Sequence, residues 1–286
     1  MKEHRIKCAV EKMCMSFRVS RSGYYAWLNR KPSVRTSETQ KITKMIKSVY
    51  QESKGRYGSP KITEELKSRG LNVSRPRVAR LMRSEGIQSI IQKKYRVSTT
   101  DSKHNYPVAD NLLKRNFKTQ RPGQVWVSDI TYIHTNQGWL YLTIIMDLFD
   151  RKIIGWALSK TLTTWDTVLA AWRMALINRP ISGSLIFHSD RGSQYASYEF
   201  RHALTGKPVI QSMSRKGDCW DNAVAENFFK ILKSELIYHC HFINQLRARN
   251  QVFEFIEIWY NRKRRHSYLG YVTPEEYGNN QLLNVA

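Results

Sequence analysis

The order of hydrophobic patterns between residues 125 and 213 leaves few folds open. Three runs, QVWVSDITYIHT, GWLYLTIIMDLFD and RKIIGWALSKT, are rich in β-branched and aromatic residues, and the tight turn NQG separates the first two. A helical pattern follows in TWDTVLAAWRMALINR, which stops before Pro180. Then come a strand in SLIFHSD, a helix in YASYEFRHALTG and a strand in KPVIQSM. Three consecutive strands followed by alternating helix and strand units predict an α/β domain with a mixed five-stranded sheet and helices on both faces. The loop SRKGDCWDN leads into AVAENFFKILKSELIY, an amphipathic helix with Val224, Phe228, Ile231, Leu232 and Leu236 as its apolar stripe.

The chain upstream has a different texture. SETQKITKMIKSVYQESKG (37–55) places Ile42, Met45, Ile46 and Val49 at helical spacing, with Gly55 past the end. SPKITEELKSRG is a short helix with Ile62 and Leu66, ending at Gly70. SRPRVARLMRSEG begins with Ser74 as N-cap and Pro76 in the first turn, runs through Val78, Leu81 and Met82, and closes at Gly86. Two helices joined by a short Gly-containing turn match helix-turn-helix geometry. The second carries Arg75, Arg77, Arg80 and Arg83, suited to phosphates or guanine edges. These are the candidate DNA-binding arginines, although a plain helical hairpin would also expose them to solvent. VSRSGYYAWLNRKPS, with Ser20 or Ser22 as cap, reads as a fragment of an earlier unit of the same kind.

The expected organisation is an N-terminal helical segment 1–36, a helix-turn-helix-like domain 37–87, a basic linker 88–123 containing Pro107 and Pro122, an α/β core 124–240 and a C-terminal helical extension 241–286. Charge follows this division. Residues 1–124 hold 29 of the 47 Lys and Arg but 9 of the 23 Asp and Glu, so 20 of the 24 net positive charges lie in the front part. A polycation of this strength points to nucleic acid. No apolar run approaches the roughly 20 residues that cross a bilayer, and the first residues lack the apolar stretch of a secretory signal. The four cysteines form no CxxC pair, which argues against zinc or disulfides and for a cytosolic protein.

Three acids stand out against this background. Asp129 falls in mid-strand, on the face of Val125, Val127, Thr131 and Ile133, where a carboxylate is disfavoured and costly to desolvate without compensation. A hydrogen-bonded buried Asp or a bulge would satisfy that position as well as a functional one. Asp190 ends a strand in HSDRGSQYAS, as an ordinary turn residue or as a carboxylate the strand presents. Glu226 begins the last amphipathic helix, with Lys230 and Lys233 at i+4 and i+7. By itself it reads as half of a solvated Glu–Lys pair.

Taken together, these acids lie in phrases that resemble the DDE transposases and retroviral integrases, and more narrowly the OrfB product of a bacterial insertion sequence. The phrases are RYGSPKITEELKSRGLNVSRPRVARLMRSEGI, VWVSDITYI, DLFDRKIIGWALS, HSDRGSQYAS, DNAVAENFFKILKSEL and YNRKRRHSYLGYVTPEEY, in order along nearly the whole chain, with 35 residues between Asp190 and Glu226. The resemblance implies a ribonuclease-H-like core with Asp129, Asp190 and Glu226 as the catalytic, metal-holding triad and Lys233 as the basic residue seven places after the glutamate. Lys230 is kept as a second candidate on the same side of the helix. The implied cofactors are two divalent ions, Mg²⁺ or Mn²⁺. The implied reaction is DNA strand cleavage followed by attack of a 3′-OH on another phosphodiester, which needs no side-chain nucleophile. The partners implied are double-stranded DNA (element ends and target), further copies of the chain assembled on DNA, and an OrfA-type partner or fusion segment. The setting implied is the bacterial cytoplasm at the nucleoid.

No heptad zipper is visible here, nor the His/Cys zinc domain of retroviral integrases. The alternatives are a non-enzymatic DNA-binding regulator and a ribonuclease-H-like nuclease without strand transfer. Asp147, Asp150 and Asp221 are expected in turn, capping and packing roles and His188 in a structural one. Trp220 is left between stacking on DNA and packing its loop.

Overall fold

The computed structural model describes residues 3–4, 8–90 and 106–283, and the chain divides into two units, Met1–Gln88 and Ser89–Ala286. In the first unit lie α1 (Val10–Ser16), α2 (Arg21–Leu28), α3 (Val34–Glu52), α4 (Ser59–Ser68) and α5 (Arg75–Ser84). The helical spacing read from the sequence marks the buried face. Ile42, Ile46 and Val49 of α3, Ile62 and Leu66 of α4, and Val78 and Met82 of α5 are all buried. Gly70 and Gly86 end α4 and α5 with φ of 82° and 66°, a left-handed conformation that costs a residue without Cβ nothing. Ser20 caps α2 by accepting from the Gly23 N–H at 3.0 Å. Ser74 stands at the N-cap of α5, but its side chain makes no capping bond. Arg75, Arg80 and Arg83 are exposed on α5. Arg77 instead turns to α3, donating from Nη1 to Glu38 Oε1 at 3.0 Å.

The second unit is built on β1 (Val125–Thr135), β2 (Gly138–Asp147), β3 (Ile153–Ser159), β4 (Leu185–Ser189) and β5 (Val209–Met213). The strand order is β3-β2-β1-β4-β5, with β1, β2 and β3 antiparallel and β4 and β5 parallel to β1. This is the expected mixed sheet, in the ribonuclease-H-like arrangement. A π turn (Trp165–Leu169) opens α6 (Ala170–Asn178) between β3 and β4. Between β4 and β5, where one helix was expected, there are two, α7 (Ser193–Ala196) and α8 (Tyr198–Leu204). Ser197 is extended at the break and its hydroxyl accepts from Phe200 N–H at 3.2 Å, so a capping serine divides the helix. After β5 a 3₁₀ turn (Cys219–Asn222) runs into α9 (Ala223–Glu235), followed by α10 (Gln245–Phe253), a π-helical segment (Glu254–Lys263) and α11 (Pro274–Leu283).

An aromatic cluster fills one side of the sheet. Trp172 of α6 meets Trp126 of β1 and Phe187 of β4 edge-on, with ring centroids 5.5 and 5.4 Å apart. Ionic anchors sit at the ends of the elements. Asp147, fully buried, accepts from Gly123 N (2.7 Å), Trp126 Nε1 (3.1 Å) and Phe149 N (2.9 Å), and Arg179 Nη1 reaches it at 2.7 Å. Asp150 takes the other arm of Arg179 at 2.6 Å. Burial pushes the Asp147 carboxyl up, and the Arg179 charge opposes that push. At the end of α9, buried Glu235 accepts from Arg264 Nη2 at 2.8 Å and Trp259 Nε1 at 2.9 Å.

Both edges of the sheet are occupied by the chain itself. On β3 the Asn261 amide bonds the N–H and C=O of Ile153, each at 2.9 Å, and Arg249 donates to Leu158 O at 2.7 Å. On β5, Met213 N–H donates to Asp110 O at 3.3 Å and the Ser212 hydroxyl accepts from Leu112 N–H at 2.9 Å. Within 88–123, residues 91–105 lie outside the described residues. Residues 106–123 form neither helix nor strand, and Leu113 is buried.

Gly155 shows how closely α6 approaches the sheet. A Cβ there would stand 2.3 Å from Ala171 O and 2.8 Å from Ala175 Cβ, contacts that only a backbone shift can relieve. Gly155→Ala is expected to destabilise the protein by about 1–3 kcal/mol. Urea denaturation of the full chain measures it, and an unchanged midpoint would contradict this packing.

Candidate active site

β1 and β4 pair only from Val125 to Val127 and from Ile186 to His188, and then part. Asp129, in the middle of β1, and Asp190, just past the carboxyl end of β4, lie immediately beyond that shared ladder. Asp129 is half-buried and paired with Ile144 of β2, in a register unbroken from Trp126 to Thr135, so no bulge excuses it. Its Oδ1 accepts from the Ile130 N–H at 2.8 Å. Asp190 leaves the strand into a turn in which its Oδ1 accepts from Gly192 N–H at 2.9 Å. Glu226 lies exposed in the first turn of α9. Lys233 is half-buried near the end of the same helix, and Lys230 is exposed.

Electrostatics tie four of these groups together. Burial, then the Asp190 carboxylate, push Asp129 well above the ordinary carboxylate range, and Glu226 adds to the push. The Ile130 N–H and the Lys233 ammonium act in the opposite sense. Burial lowers Lys233 while the Asp129 charge holds it up. Arg75, Arg77, Arg80 and Arg83 belong to the other unit.

Among the described residues, no three His, Cys, Asp or Glu side chains converge closely enough to hold an ion between them. The acids share a field without forming a closed cage. Their chemistry nevertheless fits a hard divalent ion, since carboxylate oxygens suit Mg²⁺ and Mn²⁺ and neither thiolate nor imidazole is among them. Positive charge at this point would also relieve the repulsion that raises Asp129.

Ser128, Tyr195 and Asn222 support the site and escaped the sequence reading, whereas His188 and Trp220 were named in it. Ser128, completely buried, contacts the segments that follow Asp190 and precede Glu226 through Tyr195 (2.8 Å) and Asn222 (3.0 Å). Neither a strand serine nor a carbonyl acceptor leaves a pattern in sequence. His188 is buried between Ser212 Oγ (2.9 Å) and Ser214 Oγ (3.2 Å), and burial lowers it to about 4, so it serves as a neutral strut between β4 and β5. Trp220 is 67% exposed, so its indole does not pack the loop.

Three matches place the chain among known proteins. Residues 119–219 and 226–282 match the integrase core domain, and residues 37–95 match an HTH-like domain. The insertion element IS600 uncharacterized 31 kDa protein of Shigella sonnei is 42% identical over 262 residues, covering 92% of this chain and 96% of that protein. The transposase InsF for insertion sequence IS3A of Escherichia coli (strain K12) is 37% identical over 284 residues, covering 99% and 98%. Among solved structures, a chain of the simian T-cell lymphotropic virus intasome in complex with PP2A regulatory subunit B56 gamma aligns with a TM-score of 0.48 at 15% identity, over 82% of this chain and 74% of its own. The HTLV-2 integrase catalytic core domain in complex with magnesium aligns at 0.43 and 17%, over 56% and 99%.

Asp221 is the hub of the loop that leads to Glu226. Fully buried, it accepts from Arg215 Nε and Nη2 (2.9 Å each), Arg115 Nε (2.9 Å) and Asn111 Nδ2 (2.7 Å). The Arg215 guanidinium, foremost, holds its carboxyl well below the ordinary range. A depressed folded-state pKa gives stability that is full above the unfolded value of about 4 and is lost as pH falls below it. Asp221→Asn should therefore cost about 1–2 kcal/mol at pH 7, a discounted figure because both arginines are half exposed. The deficit should shrink between pH 4 and pH 3. Urea titrations of both proteins at pH 7, 4 and 3 measure it, and a deficit independent of pH would contradict the ionic origin.

Proposed function

The chain belongs to the insertion-sequence transposases with an integrase core domain, and from that premise we propose that Asp129, Asp190 and Glu226 are its catalytic carboxylates. It is a DNA transposase, a polynucleotidyl transferase. The observation that most supports this assignment is the placement of Asp129 and Asp190 beyond the opening between β1 and β4, with Glu226 and Lys233 of α9 acting on the same carboxyl.

In this reading the three acids hold two Mg²⁺ or Mn²⁺ ions, which when bound activate a hydroxyl nucleophile and neutralise charge on the phosphorus. The residues of the chain supply position. β1 fixes Asp129, the turn capped on Gly192 N–H fixes Asp190, and the first turn of α9 presents Glu226. Lys233, kept close to Asp129, holds a non-bridging phosphate oxygen beside the scissile bond. Water attacks first, releasing a 3′-OH at the element end. That hydroxyl then attacks a target phosphodiester, its O–P bond forming as the bond to the leaving 3′ oxygen breaks.

Duplex DNA meets the basic front unit through Arg75, Arg80 and Arg83, while Arg77 must release Glu38 to join them. Trp220, exposed on the loop before α9, offers its indole to an unpaired base. Copies of the chain assemble on the element ends with an OrfA-type partner or fusion segment, in the bacterial cytoplasm at the nucleoid. No helix among the described residues is long and apolar enough to cross a membrane.

The test joins a pre-cut 3′-OH oligonucleotide carrying element-end sequence to target DNA with Mg²⁺ or Mn²⁺. Asp129→Asn, Asp190→Asn and Glu226→Gln should each reduce joining on the order of a thousand-fold or more while metal-free DNA affinity is kept. Because Asp129 is destabilised in its charged form, Asp129→Asn should also melt at or above the wild-type temperature. A purely structural aspartate would give a lower melting point and near-normal joining, and that pair of results would sink the assignment.

Lys233→Ala should weaken end-DNA binding and reduce its salt slope by roughly one. Lys230→Ala is the comparison, and equal small effects from the two would remove Lys233 from the site.

A further inference from the structure

Ser128 stands one residue before Asp129 and touches both of the other acid-bearing segments. Gln124 O accepts from Ile186 N–H of β4, so by alternation the Ser128 carbonyl also points to the β4 side of β1. Continuing that ladder would bring the Asp190 N–H to it, but β4 has ended and Asp190 has turned away. Asn222 Nδ2 donates to the carbonyl instead, at 3.0 Å.

Asn222 lies four residues before Glu226, at the N-cap position of α9, yet makes no capping bond. The helical stretch is capped one turn earlier, where Asp218 accepts from Trp220 N–H, and this releases the Asn222 amide for the strand. Its Oδ1 is buried with no hydrogen-bond partner among the described residues, so the bond to Ser128 is what orients the side chain.

The Ser128 hydroxyl serves the third segment. It donates to Ile144 O at 2.7 Å and, having one proton, accepts from the Tyr195 hydroxyl at 2.8 Å. Tyr195, fully buried in α7, lies five residues after Asp190. Burial, and then the charges of Asp190 and Asp129, keep its phenol protonated and thus a donor.

We propose that Ser128 is the node that sets the spacing of the three acids, with Asn222 positioning Glu226 and Tyr195 positioning Asp190. This rests on the reading that the acids hold a divalent ion. Carboxylates on three separate elements bind an ion tightly only when something fixes their spacing, and loss of such supporting bonds typically costs ten- to a hundred-fold in metal affinity.

The experiment is Mn²⁺ titration of the full-length protein followed by electron paramagnetic resonance, with thermal melting alongside. Asn222→Leu keeps the volume without a donor, and Tyr195→Phe removes one hydroxyl. Each should raise the Mn²⁺ dissociation constant at least ten-fold. Glu235→Gln, which loosens the far end of α9 from Arg264, should lower the melting temperature but leave Mn²⁺ affinity within about two-fold. If Asn222→Leu does not fold, Tyr195→Phe carries the test.

Wild-type affinity in Asn222→Leu or Tyr195→Phe, with Asp129→Asn binding no Mn²⁺, overturns the node and leaves the triad standing. Affinity losses that merely follow melting temperature across all three variants, Glu235→Gln included, overturn it as well. Equal binding by Asp129→Asn and wild type overturns the triad assignment, and the node with it.

Discussion

The structure of the second unit turns on the place where β1 and β4 separate. Two parallel strands share a ladder for three residues, and beyond it each must satisfy its backbone groups by other means. The gap makes room for two carboxylates, and the orphaned carbonyl of Ser128 recruits the residue that starts α9. Where the two strands part, the sheet therefore leaves a backbone carbonyl that a side chain of the segment before α9 satisfies.

Charge is handled in two ways in this unit. At Asp147, Asp150, Asp221 and Glu235, each acid meets an arginine and the pair ties elements together. Buried pairs of this kind add little net stability over apolar packing, but removing one partner is costly, so they fix geometry more than they strengthen the fold. At Asp129 the neighbouring acids outweigh the single half-buried lysine. The contrast sets the candidate site apart from its scaffold. The scaffold acids are held by arginines, whereas the Asp129 carboxyl is raised by burial and by the acids beside it.

Much of this was legible in the sequence. Hydrophobic period separated strands from helices, β propensity marked β1 to β3, and Asp129 was conspicuous because strand interiors exclude carboxylates. Other features left no local trace. Ser197 divides a helix by capping, which residue type alone does not distinguish from a solvated serine. Arg77 faces Glu38, 39 residues away, and helical spacing within α5 does not report that partner. Asn222 resembles an ordinary helix cap, and its bond to Ser128 spans 94 residues. Local pattern records what a residue does within its own element; Arg77 and Asn222 act between elements.

The covered sheet edges carry one more consequence. An exposed edge strand is a template on which another chain can add a strand. Here Asn261 and Arg249 bond the backbone of β3 at Ile153 and Leu158, and Asp110 and Leu112 bond the carboxyl end of β5 at Met213 and Ser212. At those positions a strand added from another chain would first have to displace the bonds already made. A sheet edge engaged by its own chain is a poorer template for aggregation.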